Sequence, residues 1–456
     1  VTSALQPWQA DVLETGELYR VGGSVRDRLL GVADTADTDF LVRAVAPARL
    51  EAILARHGAW SMVGKAFGVY KFTPRGTNVT VDIVYPRTEA STGVGHRDFV
   101  VRSDWTLPVE SDLGRRDFTI NAIAERVPGG AIVDPFDGRG DLERRVLRTI
   151  FPRAFEEDPL RILRGARFAA RFDLAVEDAT LAAMKTAAAF LSSVSAERVQ
   201  DEFSKTLAQC DSPSRAFHLL HEIGSLATWL PELDRCAGVT QNEYHPDDVY
   251  WHSLKVCDAA PRERLLVRWA ALLHDVGKVD ARRVLVEDGV TRVVFYGHEV
   301  LSAEMTEAIL SRLRYSRDFV AACRHLVAEH MYRYEASWKA STVRRFMRRI
   351  GDDHLDDLLA LREADCRSRL LDGELSQLAD LRTRIEEERR ARAVLRVGDL
   401  AIDGRDVMRE TNLPSGPAVR RVLEDLLDRV TETPALNTRE RLLEILREGS
   451  EAEKNK

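Results

Sequence analysis

Short runs of β-branched and aromatic residues alternate with helical stretches over the first 135 residues. Leu18–Val21, Phe40–Val42, Val79–Val84 and Ala131–Val133 predict strands, and the alternation predicts a small α/β domain. After Pro135 the character changes. From about Phe155 onward apolar residues recur at helical spacing and β-branched runs are rare, so the rest of the chain is expected to be almost entirely α-helical. The pattern breaks around Pro231–Pro246, at Gly238, Asn242 and Pro246, and again around Val397–Gly404, beyond a charged helix containing Glu386, Glu387, Glu388, Arg389 and Arg390. These breaks predict four segments, 1–135, 136–235, 236–396 and 397–456. In the last, a loop at Leu413–Pro417 precedes a final helix expected to be capped by Asn437, with Glu440 three residues later.

Composition narrows the picture. The 456 residues are 45% hydrophobic and 30% charged, as in an ordinary soluble globular protein of two to four domains. The longest apolar stretch, Leu265–Leu273, is interrupted by Arg268 and falls short of the roughly 20 residues that span a bilayer. Val1–Asp11 has neither a basic segment nor an apolar signal core. Cys210, Cys236, Cys257, Cys323 and Cys366 are scattered, which predicts reduced thiols and a cytoplasmic protein rather than a disulfide framework. A net charge of −7 excludes indiscriminate coating of nucleic acid. One basic tract stands out: Arg139 to Arg171 holds nine arginines against Asp141, Glu143, Glu156, Glu157 and Asp158, which predicts a bounded nucleotide or nucleic-acid site.

The first candidate chemistry lies where the strand Leu18–Val21 runs into Gly22-Gly23-Ser24 and a helix. Backbone amides and a helix N-terminus converge there and attract phosphate, with Arg26 and Arg28 close behind. Alone, Gly-Gly-Ser is merely a tight turn. Asp37 and Asp39 change its meaning, because carboxylates at i and i+2 of a strand share one face and can share divalent cations. Asp82, on the strand face opposite Val81 and Ile83, is the expected third carboxylate. Such a set can hold two metals for nucleotidyl transfer to an RNA 3′-hydroxyl.

At this point the sequence resembles the class II tRNA nucleotidyltransferase and poly(A) polymerase family. Gly22-Gly23-Ser24-Val25-Arg26-Asp27 with Asp37-Thr38-Asp39 is similar to its first motif. Arg115-Arg116-Asp117-Phe118-Thr119-Ile120-Asn121-Ala122 is similar to its second, which contacts triphosphate and ribose. Asp134–Gly138 resembles the element joining head to neck, Glu157–Arg164 the nucleotide-selecting motif, and Ser195–Arg198 with Glu202 the neck-helix motif. The resemblance implies a polymerase β-like head followed by a mostly helical neck, and CCA addition to the tRNA 3′ end from CTP and ATP. Asp37, Asp39 and Asp82 would bind Mg2+, and Gly22, Gly23, Ser24 and Arg26 would hold the triphosphate. Arg116, Asp117 and Asn121 would place phosphate and ribose. No protein partner or membrane is implied. A CC-adding, A-adding or poly(A)-polymerising enzyme is the nearest alternative; Gly64–Val69 and the long connection Pro86–Asp112 look more like the tRNA enzymes.

Base choice is expected from Asp158, Arg161 and Arg164. With Asp158 and Arg161 three apart on a helix, a carboxylate acceptor lies beside a guanidinium donor. Cytosine and adenine both offer an amine donor beside a ring-nitrogen acceptor; uracil and guanine present the reverse.

A second constellation follows. The helix Arg264–Leu273 ends in His274-Asp275, with His252 before it and His298, His330 and Asp365 after it. Together these offer nitrogen and oxygen donors for one or two divalent metals. They resemble the HD phosphohydrolase domain, nearest at His252, His274, Asp275 and Asp365, with His298 and His330 as outer candidates and His245 and His325 as structural residues. The resemblance implies a transition metal such as Mn2+ or Ni2+ and action on phosphorylated RNA ends. An HD hydrolase whose N-terminal half only binds RNA is the alternative from another class; the Asp37/Asp39 pair weighs against it, since binding needs no paired carboxylates.

Overall fold

Strand alternation builds a sheet that is buried on both faces in the first unit. In β1 (Glu17–Val21), Leu18 enters one apolar cluster with Trp8, Phe40, Val42, Leu50, Phe72 and Ile83. Its neighbours Tyr19 and Val21 enter another with Leu41, Val109, Leu113, Ala122 and Ala124. The structure is a computed structural model that describes residues 5–32, 38–63, 68–91, 99–241, 247–287, 290–369 and 372–454. It divides into two units, Val1–Asp234 and Arg235–Lys456.

The remaining strands of the head are β2 (Asp39–Arg43), β3 (Gly58–Val63), β4 (Val69–Pro74), β5 (Val81–Val84), β6 (Arg87–Ser91), β7 (Phe99–Ser103), β8 (Ala124–Val127) and β9 (Ile132–Val133). Seven form one mixed sheet in the order β3-β4-β5-β2-β1-β8-β9, and β6 pairs with β7 in a separate hairpin. All contacts in the main sheet are antiparallel except β2 with β5, whose parallel register sets Asp39 opposite Asp82. The hairpin and the helix Val109–Leu113 occupy much of the connection Pro86–Asp112. The segments Gly64–Phe67 and 92–98 within the expected family features lie outside the described residues.

Behind the head, the helix Leu160–Phe172 buries Ile162, Leu163, Ala166 and Phe168. Gly165 admits Phe118, whose ring would be 2.9 Å from a Cβ there. The helix Ala196–Gln209 packs against it, joined by the buried pair Arg167–Glu202 at 2.8 Å.

In the second unit the helices Val249–Ala259, Leu265–Leu273, Arg317–Glu329 and Asp352–Ser368 pack around Trp269, Leu272 and Leu358. Asp248 caps the first by accepting from the Trp251 amide at 2.7 Å. This part is almost entirely helical, as expected, apart from an antiparallel hairpin of Arg283–Glu287 and Val290–Val294. Its valines sit in the short period-2 runs that favour strands, a signal masked by the surrounding helical period.

A separate small core of Leu400, Val407, Leu423, Leu426, Leu427, Val430 and Leu442 holds the C-terminal helices together. Arg344 donates to the carbonyls of Thr431 and Glu432 at 2.6 and 3.2 Å, satisfying a helix end. Asn437 is not the cap of the last helix, Arg439–Lys454. Its side chain instead accepts from the Ala401 amide and donates to the Asp399 carbonyl, at 2.8 and 3.0 Å, and Thr438 lies at the helix start. All five cysteines are free and buried. No helix among the described residues is long and apolar enough to cross a membrane.

Candidate active sites

A cavity of about 660 Å³ opens where the ends of β1, β2 and β5 meet the helix Leu160–Phe172. Gly22, Gly23, Asp39, Asp82, Arg116, Asp117, Asn121, Asp158, Arg161 and Arg164 all line it. The parallel register makes Asp39 and Asp82 neighbours at its floor, and Lys71 donates to both oxygens of Asp82 at 2.7 and 3.0 Å. Asp37 lies outside the described residues. Gly22 sits at φ +74, and a Cβ there would be 2.6 Å from an Arg116 guanidinium nitrogen, so this position demands glycine for both reasons.

Two residues expected at the triphosphate have other employment. Arg26 is buried, donates to Asp27 at 2.8 and 2.6 Å and to Asn121 at 2.5 Å, and lies 5.0 and 4.4 Å over the rings of Phe168 and Phe172. It borders the cavity as the joint between the glycine turn and the neck. Ser24 turns back to donate to the Val21 carbonyl at 3.3 Å, closing the turn.

The second motif is set by a carboxylate that the sequence reading passed over. Asp112 is fully buried and accepts from Arg115 at 3.0 and 2.7 Å and from Arg116 at 3.2 and 3.0 Å. Burial pushes its carboxyl up, but the two guanidinium groups outweigh that and hold it below the usual range. Arg116 also donates to the Asn121 carbonyl at 3.2 Å. Asp117 accepts from the Asn121 amide at 2.9 Å and from Arg164 at 2.8 Å; against the opposing effect of burial, Arg164 and Asn121 bring its pKa down to about 2.

Asp158 and Arg161 share the cavity but not a helix face. Asp158 precedes the helix with extended backbone, φ −135° and ψ 96°, because Pro159 follows it. Its carboxylate accepts from Arg198 at 2.8 Å, while Arg161 donates to the carbonyls of Arg115 and Ala154 at 3.0 and 3.4 Å. The side-by-side pair expected from helical spacing is therefore absent from this state. Arg164 is drawn to Asp117, with Glu202 at 3.5 Å beyond. Arg87, Arg171, Arg198 and Lys205 also line the cavity. The basic tract pointed only to Arg171 among these, because the others come from distant segments.

The second unit has its own cavity, about 940 Å³, with His252, His274, Asp275, His298, His330 and Asp365 in its wall. His252, His274 and Asp275 offer three donor atoms within 4.8 Å of one another, and so do Asp275, His298 and His330. The outer candidates His298 and His330 thus join the core set, with Asp275 common to both halves. Asp275 Oδ2 is 3.1 Å from His274 Nε2 and 3.4 Å from His252 Nε2, and its Oδ1 is 3.2 Å from His298 Nε2. Asp365 lies 3.4 Å from His252 and is gripped by Arg362 and Arg369.

The histidines are oriented by their own helices. The Nδ1 atoms of His274, His298 and His330 meet the carbonyls of Ala271, Phe295 and Val327 at 2.8, 2.8 and 2.7 Å. Donation from Nδ1 leaves each Nε2 lone pair facing Asp275. Burial brings the His330 pKa down to about 3, so its ring stays neutral. The buried Asp275 Oδ1 faces the Nε2 atoms of His298 and His330, at 3.2 and 3.8 Å. A buried carboxylate amid imidazole nitrogens is a donor set that fits divalent cations.

Comparison with known proteins agrees with this layout. Residues 18–148 match the poly A polymerase head domain, 173–236 the probable RNA and SrmB-binding site of polymerase A, and 242–382 the HD domain. The multifunctional CCA protein of Dechloromonas aromatica is 41% identical over 317 residues, 68% of this chain and 71% of the relative. That of Methylobacillus flagellatus is 38% identical over 369 residues, 77% and 84% of the two chains. The chain belongs to the class II tRNA nucleotidyltransferase and poly(A) polymerase family, in its HD-bearing branch. The fold is shared with the Bacillus stearothermophilus CCA-adding enzyme in complex with CTP, at a TM-score of 0.70 and 24% identity over 99% of this chain and 100% of that one. Family membership makes the chain a nucleotidyltransferase and implies divalent metal use in both cavities.

Proposed function

We propose that the cavity of the first unit adds CCA to the 3′ end of tRNA from CTP and ATP, without a template and with release of pyrophosphate. The observation that carries this is the register of Asp39 with Asp82 beneath a wall of arginines. Asp39 and Asp82, with Asp37, are the residues that would hold Mg2+. The set suits it, since the Asp82 carboxylate already draws an ammonium group, that of Lys71. Magnesium bound there supplies Lewis-acid activation of the RNA 3′-hydroxyl and neutralises charge on the departing pyrophosphate. Gly22 leaves bare backbone for the close approach of the triphosphate, and Arg116, fixed by Asp112, faces its charge. Asp158 accepts the exocyclic amine of cytosine or adenine and Arg161 donates to the ring nitrogen.

The test uses tRNA transcripts lacking CCA or lacking only the final A, with CTP, ATP or both, and sequencing of the products. CCA completed on the first and A on the second is expected. Addition of only CC, only A, or a run of A would replace this reading with the corresponding partial or polymerising activity. Extension that survives Asp39→Ala would overturn the mechanism.

We further propose that the second cavity is a phosphohydrolase site for phosphorylated RNA ends, with Mn2+ or Ni2+ held by His252, His274, Asp275 and Asp365 and, on the far side of Asp275, by His298 and His330. The supporting observation is the buried Asp275 carboxylate, shared by two groups of donors, among the oriented Nε2 atoms. Such metals supply an activated water and charge neutralisation at phosphorus. Hydrolysis of a 2′,3′-cyclic phosphate that persists in Asp39→Ala and disappears in Asp275→Ala is the expected result.

A further inference from the structure

The mouth of the HD cavity carries chemistry that metal binding does not use. Tyr296 is 74% exposed, the largest value among the described large apolar residues, and Met331 is 49% exposed. Both line the cavity, and each adjoins a ligand histidine: Tyr296 stands two residues before His298, and Met331 directly follows His330. Backbone geometry holds Tyr296 outward. Phe295 is buried and its carbonyl meets His298 Nδ1 at 2.8 Å, so the intervening Gly297, at φ +75, turns the chain around an anchored base. On the same wall Arg333 is exposed, and the Tyr332 hydroxyl is buried without a hydrogen-bond partner among the described residues. The exposed Tyr296 ring is surface the fold leaves uncovered.

We infer that Tyr296, on the cavity that Met331 also lines, is the nucleobase platform of the HD site. The ring stacks the terminal base of an RNA end whose phosphate sits at the Asp275 centre, and Arg333 faces the RNA's phosphate charge. This rests on the phosphohydrolase reading above. A nucleobase is the occupant because the ring is joined to a polar, cationic and metal-binding wall, which suits a nucleotide's split between flat apolar base and anionic phosphate. Every base has a π-face, so the platform accepts any base and discriminates nucleotides from base-free phosphates.

The experiment uses the full chain with Mn2+ and two probes, adenosine 2′,3′-cyclic phosphate and the base-free methyl riboside 2,3-cyclic phosphate. In each, water adds to phosphorus, one phosphorus to ribose-oxygen bond breaks, and the released ribose oxygen takes a proton. Tyr296→Ala is expected to raise KM about tenfold for the adenosine probe, with kcat unchanged, and to leave both constants unchanged for the base-free probe. Tyr296→Phe is expected to restore the wild-type KM. Equal effects on the two probes, or none on either, overturn the platform. If the wild-type chain turns over neither probe, the phosphohydrolase reading fails by itself. The platform is then decided by calorimetry of adenosine 2′-phosphate binding: weaker binding to Tyr296→Ala supports it, and equal binding overturns it.

Discussion

The Arg198 guanidinium donates to the Asp158 carboxylate at 2.8 Å, and Arg161 points its own donors at backbone carbonyls instead. The two residues proposed to read the base are thus held apart, each by a partner that a nucleotide would have to replace or work alongside. Arg198→Ala removes a charge-assisted bond worth about 1.5–3 kcal/mol. Its loss frees the Asp158 carboxylate and should lower KM for CTP and ATP together by about tenfold, and Asp158→Ala should admit UTP and GTP. Single-nucleotide incorporation assays check both; unchanged exclusion of UTP by Asp158→Ala would remove Asp158 from base selection.

Asp39 is exposed and Asp82 half-buried, so replacing either should cost little stability, within about 0.5 kcal/mol. Asp39→Ala should nevertheless lower kcat for extension by at least about a hundredfold. Lys71 competes for the carboxylate that Mg2+ needs. Lys71→Ala should therefore lower the Mg2+ concentration that gives half-maximal extension; a higher requirement would place Lys71 in substrate binding.

Asp117 carries a folded pKa of about 2 against an ordinary value of 3.8. A depressed carboxylate stabilises the fold above the unfolded value, and that stability is lost as pH falls through the folded one. Between pH of about 4 and 2 the chain should lose about 2 kcal/mol from this group. Asp117→Asn should lack this component, so urea unfolding curves for variant and wild type should converge across that interval.

Asp275 serves both donor groups of the HD cavity, so Asp275→Ala should abolish bound transition metal altogether. His330→Ala should remove the metal beyond Asp275 and leave the one at His252 and His274. Elemental analysis of the purified variants, expected at two, one and zero ions per chain for wild type, His330→Ala and Asp275→Ala, decides this. Equal content in wild type and His330→Ala would reduce the centre to a single ion.

Features whose chemistry is local were legible along the chain. The glycine turn, the Asp39 and Asp82 strand positions and the His274-Asp275 helix end were all found where residue type and period placed them. Four of the nine head strands among the described residues were read, and β3 was not, since Ser61, Met62 and Val63 are exposed and show no buried alternation. The helical period assigned to 155–456 overlooked the hairpin at Arg283–Val294 for want of length.

By itself, then, the sequence determined which groups are available: carboxylates at the strand positions Asp39 and Asp82, a glycine that can take φ +74, imidazoles at helix ends. These follow from side-chain type and backbone period, which act over a few residues. Only the tertiary structure decided which groups are engaged. Arg26 is tied to Asn121 across 95 positions, Asp158 to Arg198 across 40, and His330 is brought to the Asp275 centre from another helix. Burial strengthens each charged contact and penalises any group left alone. The pairings therefore come from the packing of the whole unit, and no local spacing encodes them.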